Sequence, residues 1–257
     1  MMINAELTEN ISRASEATSN PELNHQLVRC LDLTSLNNHD TDADIIQLCH
    51  NAKTAVGNVA AVCVYPQFVA LAKEHCVNTD IKIATVINFP SGNELLEKVL
   101  ADTESSLTAG ADEIDLVFAY QTYLTGKKID AIEMVKQVRK LCGEKKLKVI
   151  LETGALDADA IATISADCID AGADFLKTST GKINQGATLG AVAIMLNAIN
   201  EKQADMPRTL GVKVSGGVSS ADIATQYYAL AQNIIDHEWP RAETFRIGAS
   251  SLLSKLL

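Results

Sequence analysis

The feature that most constrains this chain is a run of apolar, β-branched residues that returns about every 31 positions. Eight runs occur, at Gln26–Leu33, Val59–Val64, Ile81–Phe89, Glu113–Phe118, Leu147–Leu151, Phe175–Lys177, Leu210–Val214 and Phe245–Gly248. The centres of the first and last, Val28 and Ile247, lie 219 residues apart, which over seven intervals is about 31 residues per unit. That is the length of one strand plus one helix. The segments between the runs carry helical spacing: Leu95, Leu96, Val99, Leu100 and Leu107 within Asn93–Ala109, and Ile161, Ile164 and Cys168 within Asp157–Ala171. Asp157 precedes one helix as a cap, and Gly110 and Gly172 each follow a helix end.

Ala109-Gly110-Ala111-Asp112 and Ala171-Gly172-Ala173-Asp174 repeat one helix-to-strand junction 62 residues apart, two units of the same period. Glycine at that position accepts the left-handed backbone that ends a helix. Regular alternation of strand and helix predicts a parallel sheet. Eight units predict closure into a (β/α)₈ barrel, with an open sheet as the alternative. The 257 residues suit one such domain over 1–257, with residues 1–24 reading as an extra helix outside the repeat.

Aromatic residues make up only 4% of the chain, so the core must be built from Ala, Val, Ile and Leu, as in strands covered on both faces. The net charge of −10 speaks against nucleic acid or an anionic membrane as partner. Cys30, Cys49, Cys63, Cys76, Cys142 and Cys168 form no C-x-x-C pair and no zinc-spaced cluster, which reads as reduced thiols in a cytoplasmic protein. No stretch has the length of a membrane span, and the polar start lacks a signal-peptide pattern.

In a (β/α)₈ barrel the chemistry sits at the C-terminal ends of the strands. Asp32 and Thr34 end the first predicted strand and Cys63 lies near the end of the second. Asp115 is on the fourth, Lys148 and Glu152 on the fifth, Lys177 ends the sixth and Lys213 is on the seventh. Lys177 and Lys213 stand in otherwise apolar strands, where an unpaired ammonium is strongly disfavoured. One explanation is pairing with carboxylates such as Asp115 and Glu152. The other is a reactive amine: adjacent strands lie about 4.8 Å apart, and a second ammonium about 5 Å away costs roughly 3 kcal/mol at an effective dielectric near 20, about two pKa units. Burial adds to that shift, bringing one lysine towards the neutral, nucleophilic form used in Schiff-base chemistry. Asp115 is the best-placed carboxylate for proton transfer, and Glu113 shares its face by alternation.

A second constellation points to phosphate. Gly216-Gly217 follows the seventh strand, Gly248-Ala249-Ser250-Ser251 follows the eighth and leads into a final helix, and Ser179-Thr180-Gly181-Lys182 follows the sixth. Loops after strands seven and eight often bind phosphate in this fold, through backbone N–H groups and a helix N-terminus. His25, His39, His50, His75 and His237 fall away from the strand ends, which disfavours a metal-dependent aldolase.

From Leu31 onward the chain resembles the deoxyribose-phosphate aldolases, a class I family. The segments that carry the resemblance are Leu31-Asp32-Leu33-Thr34, Ala61-Val62-Cys63-Val64-Tyr65-Pro66, Ile83–Pro90, Gly110–Asp115, Lys148–Gly154, Asp174-Phe175-Leu176-Lys177-Thr178-Ser179-Thr180-Gly181-Lys182 and Arg246-Ile247-Gly248-Ala249-Ser250-Ser251. The resemblance implies Lys177 as the imine lysine, Lys213 as the group that lowers its pKa, and Asp115 as a proton relay through water. It implies reversible cleavage of 2-deoxy-D-ribose 5-phosphate to glyceraldehyde 3-phosphate and acetaldehyde, in deoxyribonucleoside breakdown, with no metal and no cofactor. Asp32, Thr34, Cys63, Lys148, Thr180, Gly181, Lys182, Gly216, Gly217, Gly248, Ser250 and Ser251 are the substrate-contacting residues expected on this basis.

Partners would be a phosphosugar and aldehydes, with a homodimer as one expected assembly. Val214-Ser215 replaces a Pro-Ala found in many members, and Ala119 stands where a proline is common. The final residues Ser254-Lys255-Leu256-Leu257 include no tyrosine, whereas some members carry a tyrosine-ended tail, so proton transfer would fall to Asp115, Lys213 and water. Another Schiff-base aldolase or transaldolase, a phosphosugar isomerase and a non-catalytic phosphosugar-binding barrel are the competing readings.

Overall fold

Alternation along each strand sorts the residues into two environments, and this sorting builds the barrel. The computed structural model describes residues 5–257. Eight strands form one closed barrel: β1 (Leu31–Thr34), β2 (Ala61–Val64), β3 (Lys82–Ile87), β4 (Glu113–Val117), β5 (Lys146–Ile150), β6 (Phe175–Lys177), β7 (Gly211–Ser215) and β8 (Phe245–Ala249). Every adjacent pair is parallel, and β1 closes the ring on β8 through Leu31 opposite Ile247 and Asp32 opposite Gly248. A two-stranded hairpin of Lys53–Thr54 and Gly57–Asn58 lies outside the ring.

The outward positions, including Leu33, Val62, Val64, Ile83, Ile114, Leu116, Val149, Leu176, Val212, Val214 and Ile247, join one large apolar cluster with the surrounding helices. The inward positions of β2 and β3 (Ala61, Cys63, Ala84 and Val86) form a separate small cluster. The inward positions of the other strands are mostly charged. Asp32, Glu113, Asp115, Lys148, Lys177, Lys213 and Arg246 are all buried. The β2–β3 sector of the barrel interior is therefore lined by small apolar groups and much of the rest by ions.

The helix-to-strand repeat has a physical role at both sites. Helices α5 (Leu96–Thr108) and α8 (Ala158–Asp170) end in the same motif, with Gly110 at φ 107° and Gly172 at φ 113°. Ala111 N–H bonds Ser106 O at 3.1 Å, and Ala173 N–H bonds Cys168 O at 3.0 Å, so each closes a Schellman turn. The aspartate that follows then pins the floor of the barrel. Asp112 Oδ2 accepts from Ile83 N–H at 3.1 Å and Asp174 Oδ2 from Leu147 N–H at 2.8 Å, fixing the start of the preceding strand. Asp157 caps α8 as expected, accepting from Ala160 N–H at 2.8 Å. Leu95, read as part of a helical face, instead precedes α5 and is 76% exposed.

The N-terminal region departs from expectation. It holds two helices, α1 (Ala5–Ser15) and α2 (Pro21–Arg29), and residues 1–4 of the expected extension lie outside the described residues. The run read as a strand from Gln26 is helical up to Arg29. Asn20 caps α2 by accepting from Leu23 N–H at 3.0 Å, and Pro21 at the first helical position pre-sets φ. Its apolar Leu27 and Val28 are buried as a helix face, and Cys30 alone separates helix from strand. Helix α1 packs against α9 (Leu189–Lys202) and α10 (Ala221–Ile234). Among the described residues no helix is long and apolar enough to cross a membrane.

Gly211 opens β7 inside the barrel, and a Cβ there would meet the Phe175 ring at 2.4 Å. Gly211→Ala should therefore cost about 1–3 kcal/mol in urea unfolding through overpacking. Adding Phe175→Leu should recover part of that loss, and an additive second loss would show that the ring is not the obstacle.

Candidate active site

The charged part of the interior resolves into a single connected network of seven groups. Asp115 on β4 lies at its centre. Its Oδ1 accepts from Lys148 Nζ at 2.8 Å, and its Oδ2 accepts from both Lys177 Nζ and Lys213 Nζ at 2.8 Å. Lys213 also reaches Asp32 Oδ2 at 2.5 Å, and Lys148 reaches Glu113 Oε2 at 2.5 Å and Asp32 Oδ2 at 3.6 Å. Arg246 closes the base of the network, with Nη1 2.6 Å from Asp32 Oδ1 and Nη2 3.0 Å from Glu113 Oε1. The strands dictate this meeting: Lys177 pairs in register with Lys213, Asp115 with Lys148, and Lys213 with Arg246.

Each member's acidity follows from its surroundings. Burial alone would raise the Asp115 carboxyl, but Lys148, Lys177 and Lys213 outweigh it and hold it well below its ordinary value. Burial likewise opposes the ionised forms of Asp32 and Lys213. Lys213 and Arg246 nevertheless hold Asp32 below its usual range, and Asp115 with Asp32 hold Lys213 above its own. Lys177 alone moves the other way among the amines. Burial lowers its pKa most, and Lys213 adds to that, against the single carboxylate Asp115. The second ammonium thus contributes, but desolvation is the larger cause, the reverse of the order expected from the sequence. The carboxylate pairing and the perturbed amine, weighed as alternatives, are both present.

Above the network opens a cavity of about 320 Å³, at the small end of ligand pockets. Its lining includes Thr34, Lys177, Thr180, Gly181, Lys182, Gly216, Gly217, Gly248, Ser250 and Ser251. Asp32, Cys63 and Lys148, expected to touch substrate, are not on that lining. They are fully buried beneath it, with Asp32 and Lys148 committed to ion pairs. Of the seven network groups, only Lys177 reaches the cavity.

The cavity walls are tied together by side chains. Glu152, at φ 58° and buried, accepts from Thr180 N–H at 3.2 Å and from Thr180 Oγ1 at 2.5 Å, which fixes the loop after β6. Burial pushes its carboxyl above the ordinary value. Ser215 Oγ donates to Ser179 O at 2.6 Å while Ser179 Oγ donates to Ser215 O at 2.6 Å, joining that loop to the end of β7. The serine at 215 is thus a structural tie. Lys182 Nζ donates to Leu36 O at 2.6 Å, reaching across to the loop after β1.

Gly216 needs to be glycine: its φ is +86°, and a Cβ would meet Ser179 Oγ at 2.5 Å. Gly248 makes room for Lys213, whose Cε would lie 2.9 Å from a Cβ there. The final helix, α11 (Leu253–Leu256), starts beyond Ser251 and is a single turn, so the cavity is lined there by loop residues such as Ser250 and Ser251 and not by the end of a long helix. Leu36, Asn37, Val218 and Ser219, loop residues without a distinguishing pattern, also line the cavity, as do Ser215 and Ala249 at the ends of β7 and β8; none of the six was singled out from the sequence as a substrate contact. Arg246 was also missed, although its position two residues before inward-facing Gly248 marks it as inward.

Fold and site define a (β/α)₈-barrel enzyme whose cavity lies at the C-terminal face of its strands. The DeoC/LacD family aldolase model matches residues 27–238, and the chain belongs to that family. It is a lyase that acts on small-molecule substrates. Among solved structures, one from Coccidioides immitis, provisionally assigned as a deoxyribose-phosphate aldolase, is 26% identical with a TM-score of 0.79, over 97% of this chain and 96% of its own. The tetrameric deoxyribose phosphate aldolase of Aeropyrum pernix is 25% identical with a TM-score of 0.76, over 97% and 95%. An aldolase designated QR15 is 27% identical with a TM-score of 0.75, over 90% and 94%.

If Lys213 depresses Lys177, Lys213→Leu should move the pH midpoint for carbamylation of Lys177 by cyanate upward, since only the free amine reacts. The midpoint, read by mass spectrometry, would stay at the wild-type value if burial alone set it.

Proposed function

We propose that this enzyme reversibly cleaves 2-deoxy-D-ribose 5-phosphate into glyceraldehyde 3-phosphate and acetaldehyde through a Schiff base on Lys177, in deoxyribonucleoside breakdown. The observation that carries this reading is that one network lysine, the one biased towards its free amine, opens into the cavity. The family match and the printed assignments of the Coccidioides and Aeropyrum relatives support the substrate class.

The neutral amine attacks the aldehyde carbon of the open-chain sugar, and loss of water gives an iminium. The C3 hydroxyl gives up its proton, the C2–C3 bond breaks, and its electron pair flows into the iminium to leave an enamine. Glyceraldehyde 3-phosphate departs. The enamine is protonated at carbon, and water hydrolyses the resulting iminium to acetaldehyde and the free lysine.

Asp115 is too acidic to take the C3 proton efficiently by itself, since the lysines around it, with the Lys148 and Lys213 ammoniums among them, stabilise its carboxylate. Its part is to orient the amine and to pass protons through water, with the Lys213 ammonium as the positive partner. Thr180, Gly181, Lys182, Gly216, Gly217, Gly248, Ser250 and Ser251 would hold the phosphate and sugar, because backbone N–H groups, hydroxyls and one ammonium converge on the cavity.

Borohydride reduction with acetaldehyde should leave one two-carbon adduct, on Lys177. An adduct on another lysine would overturn the assignment. Lys177→Leu should abolish turnover while the far-UV circular dichroism stays native. Ser250→Glu should lower kcat/KM for the phosphorylated sugar by on the order of 10²-fold or more, because like charges face each other. Unphosphorylated 2-deoxyribose should suffer far less, and equal losses for both sugars would move the phosphate away from this loop.

A further inference from the structure

An imine on Lys177 requires that amine, and not another in the network, to be without its proton. The network's cations are Lys148, Lys177, Lys213 and Arg246, and its carboxylates are Asp32, Glu113 and Asp115. With every group ionised, one positive charge is left uncompensated in a barrel interior where all seven residues are buried. With one cation neutral, the cluster balances. An uncompensated buried charge is costly, so the cluster favours losing one proton.

Contacts decide which proton. Lys148 touches three carboxylates, Lys213 touches Asp32 and Asp115, and Arg246 touches Asp32 and Glu113. Lys177 has Asp115 alone, and shares that oxygen with Lys213.

We propose that the Glu113–Arg246 pair, buried beneath the reacting lysine, is a positioning element that fixes the charge of the barrel interior and so leaves Lys177 as the member without a proton. The inference rests on the imine reading above. Neither residue lines the cavity. Arg246 grips both Glu113 oxygens, through Nη2 at 3.0 Å and Nη1 at 3.3 Å, and Glu113 in turn holds Lys148 against Asp115. The guanidinium is also over the Phe175 ring, 5.8 Å from its centroid, and Nε donates to Ala242 O. Both members are therefore held in place.

Other groups that face Lys177 are Cys63 from β2, whose thiol is pushed up by burial, and Glu152 beyond the end of β5. Glu152 bonds Thr180 and has no ion pair in this network. Both are unchanged in the variants below, so their effect is common to every comparison.

The charge count gives the two partners opposite signs. Removing the Glu113 charge leaves the interior more positive, so Lys177 should lose its proton more readily. Removing the Arg246 charge leaves it more negative, so Lys177 should keep it. The test is the pH dependence of borohydride-trapped acetaldehyde on Lys177, measured by mass spectrometry in the full chain. Glu113→Gln should move the midpoint to lower pH and Arg246→Gln to higher pH, each by on the order of one unit. The double variant and the charge-conserving Arg246→Lys should both return near wild type.

A structural role alone would lower activity in both variants without opposite shifts, and that result, or an unshifted midpoint in Glu113→Gln, would overturn the proposal. If Arg246→Gln fails to fold by circular dichroism, Glu113→Gln and Arg246→Lys still decide it through the direction of the first and the invariance of the second. A wild-type chain with no adduct on Lys177 would overturn the imine reading, and the charge assignment with it. Unshifted variants of a labelled wild type would overturn the charge assignment only.

Discussion

The Asp115 carboxylate, accepting from three lysines inside the barrel, is the interaction on which the site depends. Three lysines cannot be packed together out of water without a counter-ion, because each ammonium among them carries a desolvation penalty of several kcal/mol that only good geometry offsets. Asp115 provides that geometry from the middle of β4, with its two oxygens serving Lys148, Lys177 and Lys213 at 2.8 Å each. Remove it, and the register that brings Lys177 opposite Lys213 becomes a liability.

The barrel makes such an arrangement buildable. Its inward positions from β2 and β3 are small and apolar, and the ions take up most of the remaining inward positions. Glycines cut space where the ions need it: Gly248 yields to the Lys213 stem and Gly211 to the Phe175 ring. Above that layer the walls change character. Hydroxyls and glycine-rich loops, tied by Glu152 to Thr180 and by Ser215 to Ser179, frame a cavity into which one amine opens. Burial, more than the neighbouring ammonium, pushes that amine towards its neutral form.

The strand count, the parallel closure and the helix-ending glycines were legible because they rest on local rules: a 31-residue period, period-two burial and a left-handed backbone at Gly110 and Gly172. The start of β1 was not, because Leu27 and Val28 are apolar in either a helix or a strand, and only the Asn20-Pro21 cap decides between them. At the site, a lysine ending a strand announces itself, and Lys177 was singled out that way. The division of labour between Lys148, beneath the cavity, and Lys177, on its lining, depends on side-chain depth, which a strand position does not encode. Arg246 escaped notice for a related reason. Its meaning lies in contacts with Asp32 and Glu113, 214 and 133 residues earlier in the chain.

The proposed chemistry requires this buried network to hold Lys177 as a free amine under conditions where ordinary lysines are protonated. The most direct measurement is a pH titration of the lysine side chains by NMR, using ¹³C at Cε, with the Lys177 signal assigned by its loss in Lys177→Leu. The Lys177 signal should change from ammonium to amine at a pH below that of the exposed lysines, while Lys148 and Lys213 remain ammonium across the range. A Lys177 signal that stays in the ammonium position until the exposed lysines titrate would contradict that chemistry.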